Sequence, residues 1–406
     1  MKNEFYDVTI IGGGMIGASM ACALSTLPIK IAIIEAFPFR SNNQPSYDAR
    51  SIALAYGSKN IFETLGIWKN LKNDASPINH IHISNQHEFG VTRLNAKDEK
   101  LDALGYVIEN RVLGNALLEK IQQQKNINLI CPATLDHLAI REKATVSIIQ
   151  DEKKRDIQTS LIIAADGGNS KVRQLLNIDT KLKDYQQTAI ISNVSPGKPH
   201  NNIAYERFTE QGPIAILPMT ENRCSLVLSI HSDSKDAILS MNDTDFIQYL
   251  ESRFGFRTGG FTKTSARSAY PLSLMETKEH VRQRVVIIGN AAHTIHPIAG
   301  QGFNLGIRDV ATLADTISEA MVKNQDIGEL KTLQHYQSQR AADQKKVIAI
   351  TDNLTNIFSN NFTPLAKLRS TGLLFTDLTP PLKHFVSREA MGLSGRLPKL
   401  ARGLQL

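Results

Sequence analysis

The chain has 406 residues, 42% of them hydrophobic and 21% charged, a balance that excludes a disordered, collagen-like or repeat polypeptide and leaves room for two or three domains. Its three cysteines, Cys22, Cys131 and Cys224, lie far apart and form no CxxC pair, which fits a reducing compartment and argues against dithiol redox chemistry. The formal net charge of +7 is uneven: residues 363–406 carry Lys367, Arg369, Lys383, Arg388, Arg396, Lys399 and Arg402 against only Asp377 and Glu389.

The chain enters an apolar run at Tyr6–Ile11 (YDVTII) without a basic start and a cleavage site, so no secretory signal is expected. That run has the character of a buried parallel strand. A glycine loop follows, then a predicted helix to about Leu27 and a second apolar strand at residues 30–35 (KIAIIE). Together they predict a βαβ unit. Residues 78–94 alternate apolar and polar side chains, as in a half-solvated antiparallel sheet. A helix is predicted over 110–122, further strands over 128–150 and a buried strand over 160–166 (SLIIAAD). From about Thr188 to Tyr270 the pattern is of antiparallel strands joined by Gly-Pro and Glu-Asn turns. Residues 285–289 (VVIIG) return to the parallel type and lead into a helix over about 302–323. The remainder reads as helical, broken by Pro364, Pro380-Pro381 and Pro398. No run approaches the ~18 apolar residues of a membrane span.

The fold class expected is α/β. A discontinuous Rossmann-like domain takes residues 1–75, 100–180 and 271–345. An inserted antiparallel-sheet domain takes 76–99 and 181–270. A helical region takes 346–406.

Four segments carry candidate chemistry. IIGGGMIG supplies Gly12, Gly14 and Gly17 as GxGxxG between a strand and a helix. The first glycine permits the turn, the second lets backbone approach a pyrophosphate, and the third lets helix and strand pack closely. The helix N-terminus offers unpaired N–H groups to the phosphates. Glu35, ending the second strand, is placed to bind a ribose hydroxyl and disfavours a 2′-phosphate, so the nucleotide is FAD or NAD rather than NADP. In DARSIAL (48–54), Arg50 precedes a helix and either reaches the pyrophosphate or lies on the surface. In AADGGNSKVRQLL (164–176), Asp166 and Gly167 end a strand, with Ser170 and Arg173 following. This is either a ligand turn or a strand-to-helix connection with Ser170 at the helix start. In VVIIGNAAHTIHPIAGQGFNLGIRDV (285–310), Pro297, Gly300, Gln301 and Gly302 open a long helix containing Asn304. Its N-terminus would face the electron-rich edge of a ligand. His293 and His296 have no evident third ligand, so no metal is expected.

These segments, in this order, resemble the class A flavin monooxygenases, the group of para-hydroxybenzoate hydroxylase. AYERFTEQGPIAILPM (204–219), RSAYPLSL (267–274) and GNAAHTIHPIAGQGFNLGIRD (289–309) are most similar to the polyprenyl-methoxyphenol hydroxylases of ubiquinone biosynthesis. The broader class has Gly-Asp where this chain has Gly289-Asn290.

The resemblance implies FAD as cofactor and NAD(P)H as a transient co-substrate. The implied reaction uses O2 to hydroxylate a polyprenylated methoxyphenol para to its hydroxyl. It implies that Gly12, Gly14, Gly17 and Glu35 hold the ADP part, with Arg50 and Arg111 near the pyrophosphate and flavin. Asp166 and Gly167 would support FAD. Asn290, Pro297, Gly300, Gln301, Gly302 and Asn304 would line the ribitol and isoalloxazine. Tyr205, Arg207 and Tyr270 are the candidate catalytic residues, because they lie in the segments similar to substrate regions.

A bilayer-resident substrate implies that the enzyme meets a membrane surface or works in a ubiquinone-biosynthesis complex. The basic, leucine-containing tail gives this a handle, with a cytoplasmic protein peripheral on the inner face of the membrane. No nucleic acid is expected. The rivals are another ring hydroxylase of the same pathway, a flavin-dependent reductase of an isoprenoid, and a flavin-binding assembly subunit. The single tryptophan, Trp68, argues against a flavin halogenase.

Overall fold

The computed structural model describes residues 4–38, 50–358 and 363–406, with the side chains of residues 299 and 355–369 left out of the description. Asp48 and Ala49 of the DARSIAL segment lie outside the described residues.

The first sheet is built on four parallel pairings. Its strand order is Val285–Ile287, Lys153–Ala164, Glu4–Ile11, Ile31–Ile34, Ile127–Ile130. The central strands end in buried, mainly apolar runs, VTII, LIIA and IAII, as strands covered on both faces do. The helices Met15–Leu24, Asn110–Gln122 and Gln301–Val322 cover one face through a shared apolar core. The antiparallel strands Thr134–Ile140 and Ala144–Gln150 extend from Lys153–Ala164 and pack on the other.

Register decides where the motifs meet. Ile11 is level with Ala164 and Ile34, Ala164 with Ile287, and Ile34 with Ile130. The strands therefore end on one line. Gly12, Glu35, Asp166 and Gly289, separated by up to hundreds of residues, all emerge at this carboxyl edge. Ligands of doubly wound sheets bind there.

The second sheet has nine strands, with Thr180–Pro196 as its longest. It is antiparallel except at one place: Ile203–Thr209 runs parallel to His80–Asn85. The alternation in residues 78–94 thus predicts strands correctly, but not the direction of their partner. Strand Ser268–Thr277 continues through the expected boundary at 270/271, and Thr180–Pro196 through that at 180/181. One face packs Ile190, Ile214, Ile216, Leu226 and Leu228 against helix Asp243–Phe254. The other face turns towards the first sheet, joined to it by the three-stranded sheet of Ser51–Ala55, Gly105–Glu109 and Ser76–Ile78.

The C-terminal helices are Leu330–Phe358, Thr363–Leu378 and Pro380–Ala390. Helix Thr363–Leu378 closes the open edge of strand Val91–Asn95. Gly90 N donates to Ser370 Oγ at 2.7 Å, Thr92 Oγ1 to the Leu373 carbonyl at 2.7 Å, and Arg93 N to Asp377 Oδ1 at 2.8 Å. Covering an edge in this way removes a template for strand pairing. Further on, Met391, Leu400 and Ala401 are buried against the body of the protein.

Candidate cofactor and substrate site

The glycine loop is shaped by backbone contact. Gly12 has φ +98°, and a Cβ there would lie 2.4 Å from the Ala165 carbonyl oxygen. A Cβ on Gly17 would lie 1.9 Å from the Gly12 carbonyl oxygen, so the helix can lean on the loop only because Gly17 has no side chain. Helix Met15–Leu24 begins at Gly14 with no side-chain cap and no acid in its first turn. Its first N–H groups and dipole end are left for an anion, which fits a pyrophosphate. Glu35 is buried and accepts from Gly13 N at 2.6 Å and Phe37 N at 2.8 Å. It therefore fixes the loop as well as standing at the strand end.

At the next strand end, Asp166 Oδ2 accepts from Val172 N at 3.1 Å, while its Oδ1 is buried with no partner among the described residues. Burial raises the pKa of this carboxyl. A buried acceptor left open is what a hydroxyl-bearing ligand would complete. Ser170 instead builds the turn: its Oγ accepts from Arg173 N at 3.1 Å and caps the short helix Lys171–Leu175. Arg173 folds back to the Gly168 carbonyl and, at 3.1 Å, to Met275 Sδ. A cavity of about 480 Å³ opens beside this turn, bounded by Asn169, Arg173, Leu182, Met275 and Thr294.

The segment after Ile287 supplies a second bare helix start. Asn290 is exposed on the turn Gly289–Ala291. His293 points inward and meets Asp309 at 2.9 Å. His296 is buried, its Nδ1 accepting from Ile298 N at 3.3 Å and its ring edge-on to Tyr185 at 5.5 Å. Burial pushes its pKa down to about 4, so it is neutral near pH 7. Pro297, Gly300, Gln301 and Gly302 are half-buried around the start of helix Gln301–Val322, which again has no side-chain cap and no acid in its first turn.

Asn304 is placed otherwise than the resemblance implies. It is buried, donates to the Ala53 carbonyl at 2.8 Å and the Gly300 carbonyl at 2.7 Å, and accepts from Ala55 N at 2.8 Å. Its amide staples the helix start to strand Ser51–Ala55 and has no donor left to line a ligand.

The remaining candidates separate. Arg50 lies over the ring of Tyr270, 4.8 Å from its centroid, so these two meet across the sheets. Arg111 is exposed and pairs at 2.9 Å with Glu109, which also holds Arg223 at 2.9 Å. Tyr205 packs edge-on against Phe254 at 5.6 Å, and Arg207 Nε donates to the Arg253 carbonyl at 3.1 Å. Both therefore face helix Asp243–Phe254 and turn away from the first sheet, against the expectation that they stand beside a substrate.

Glu206, between them, faces the other way and was missed by sequence reasoning. Its only signal was an acid inside a strand whose neighbours on the same side, Ala204 and Phe208, are buried.

The sequence matches the family described as "FAD binding domain" over residues 5–351. The chain belongs to this family. It is 34% identical over 98% of its length to the ubiquinone hydroxylase UbiL of Rhodospirillum rubrum, covering 93% of that protein. It is 30% identical over 97% of its length to the 3-demethoxyubiquinol 3-hydroxylase of Escherichia coli, covering all of it. Its fold is shared with p-nitrophenol 4-monooxygenase of Pseudomonas putida, at a TM-score of 0.79 with 14% identity, over 97% of this chain and 99% of the other. The chain is an FAD-dependent monooxygenase with an FAD-binding α/β fold. Among the described residues no helix is long and apolar enough to cross a membrane.

Proposed function

We propose that this enzyme hydroxylates the ring of a polyprenylated methoxyphenol, para to its hydroxyl, in ubiquinone biosynthesis, with NAD(P)H as electron donor and O2 as oxygen source. The observation that carries the reading is one juxtaposition. Two uncapped helix starts and the open Asp166 acceptor occupy the carboxyl edge of the parallel sheet, and the second sheet turns a half-buried apolar face towards them. Relatives named for ubiquinone hydroxylation along nearly the whole chain support the substrate class.

In this reading Gly12, Gly14 and Gly17 leave room for the pyrophosphate, and Glu35 orients the loop and meets the ribose. Asp166 Oδ1 accepts from a hydroxyl of the cofactor. Arg50, held against Tyr270, stands at the junction of the two sheets. Pro297 and Gly300 form the turn that precedes the second helix, and Gln301 and Gly302 present its first N–H groups to the isoalloxazine, where their partial positive charge favours an anionic ring. Bound there, FAD supplies the two-electron chemistry between NAD(P)H and O2. The half-buried face excludes water and orients the phenol.

The tail reading is sharpened. Lys383 lies 3.5 Å from Asp98, so part of the tail's basic charge is met internally. Phe375, Leu378 and Phe385 are 61%, 70% and 53% exposed on two successive helices. We place the membrane-facing surface on these apolar side chains, which a bilayer interface would cover.

The test is deletion of the gene and identification of the quinone precursor that accumulates. Accumulation of a polyprenyl-methoxyphenol supports the assignment. Accumulation of a later intermediate moves it to another ring position, and undisturbed ubiquinone refutes it.

A further inference from the structure

Strand Ile203–Thr209 alternates its side chains between two faces. Tyr205 and Arg207 go to helix Asp243–Phe254, while Ala204, Glu206 and Phe208 go to the face turned towards the flavin-binding half. Glu206 stands there in a row set by register: Ile191 beside Val227, Val227 beside Ala215, Ala215 beside Glu206, and Glu206 beside Ile83. All five are half-buried rather than sealed in the core. Four of its members are apolar. One is an acid.

Among the described residues that acid has no hydrogen-bond or ion-pair partner, and burial alone acts on it. The elements packed on its two neighbouring strands are strand Ser76–Ile78, the turn Ile298–Gly300 and helix Leu330–Phe358 against Gly212–Pro218, and helix Thr363–Leu378 against His80–Asn85. None of their described groups sets a charge against the carboxyl. The nearest charge along its own strand, Arg207, is on the opposite face. An unpartnered carboxyl in apolar surroundings costs stability. Such a group is kept where a ligand completes its hydrogen bonding.

Resting on the ring-hydroxylase reading, we propose that Glu206 is the base that takes the phenolic proton of the substrate. A phenol donates electron density to its ring more strongly as the proton leaves, so a positioned base raises the rate of oxygen transfer. The O–H bond breaks and the proton moves to a Glu206 oxygen as the para carbon takes one oxygen atom of O2. That carbon then loses its hydrogen as a proton, and the original hydroxyl recovers its proton from Glu206. NAD(P)H provides the two electrons, and the second oxygen atom leaves as water. The apolar row on either side of Glu206 suits the ring and the start of an isoprenoid chain. Desolvation pushes this carboxyl up to about 7, near the working pH of a general base.

The experiment uses the full chain loaded with FAD, a short 2-prenyl-6-methoxyphenol as probe, NADH and NADPH together, and isotopically labelled O2. The wild type is expected to place label in the phenol, with a rate that rises as pH passes through about 7. Glu206→Gln is expected to lose about a hundredfold in hydroxylation and to lose that rise, while retaining FAD and consuming the donor. Glu206→Asp is expected to recover part of the rate and the pH dependence. A Glu206→Gln enzyme with the wild-type rate and profile overturns the proposal. So does a loss of activity that follows loss of FAD in both variants, which marks a structural role. Conversion of the phenol by the wild type without label overturns the hydroxylase reading itself, and the base with it.

Discussion

Arg340 Nε meets Asp309 Oδ1 at 2.7 Å with both side chains almost wholly shut off from water. Asp309 also accepts from His293 at 2.9 Å and Gln344 at 2.9 Å. One carboxylate thus ties the turn after Gly289, the helix Gln301–Val322 and the helix Leu330–Phe358. Burial by itself would raise its pKa, but the Arg340 guanidinium and the His293 ring overcome this and hold it far below the usual carboxylate range.

Removing that carboxylate leaves Arg340 buried beside a void. Asp309→Ala is expected to destabilise the fold by about 3–5 kcal/mol in urea unfolding. The sign of its pH dependence follows from the depressed pKa. The stabilisation is present above the unfolded value of about 3.9 and is lost as pH falls below it. The gap between wild type and Asp309→Ala should therefore narrow in acid. A gap that is constant from neutral pH to pH ~3 would contradict the ion pair.

Gly17 has no space for a side chain against the Gly12 carbonyl. Gly17→Val forces helix Met15–Leu24 off the loop, at a cost of about 1–3 kcal/mol. The flavin-to-protein ratio after gel filtration should fall well below that of the wild type. A variant that stays fully flavin-loaded would show that the loop is not part of the cofactor site.

Asn304→Leu removes three hydrogen bonds to the backbone of Ala53, Ala55 and Gly300. At about 1 kcal/mol each, the expected loss is roughly 3 kcal/mol in urea unfolding. Because the staple acts on the helix start, FAD affinity should weaken with it. Unchanged stability would mean that the amide is not the tie between these elements.

Deleting residues 363–406 is a poor test of membrane association, because Ser370, Met391, Leu400 and Ala401 belong to the packed structure. Combined Phe375→Ser, Leu378→Ser and Phe385→Ser changes leave that packing in place. Recovery on anionic liposomes should fall at least about tenfold, since each large apolar side chain contributes on the order of 1.5 kcal/mol or more when fully buried. Equal recovery would remove these helices from the membrane-facing surface.

The glycine loop, Glu35, the parallel strands and the glycine-headed helix were legible in the sequence because their causes are local. Positive φ at Gly12, unbroken apolar runs and an uncapped helix start are properties of neighbouring residues. The resemblance added the order of the motifs. The partner of strand His80–Asn85 was not legible, since alternation reports which residues share a face and says nothing of a neighbour more than a hundred residues away. Asn304 and Ser170 were legible as motif members but not as structural ties, because a side-chain amide or hydroxyl bonds whichever group folding brings to it.

The sequence by itself determined that this protein has a dinucleotide-binding α/β core with a second sheet. Only the tertiary structure decided what that second sheet offers. In AYERFT both faces of the strand are half-covered, so periodicity could not tell which side meets the flavin-binding half. The packing of helix Asp243–Phe254 took Tyr205 and Arg207 to one face, and the pleat of the strand left Glu206 on the other.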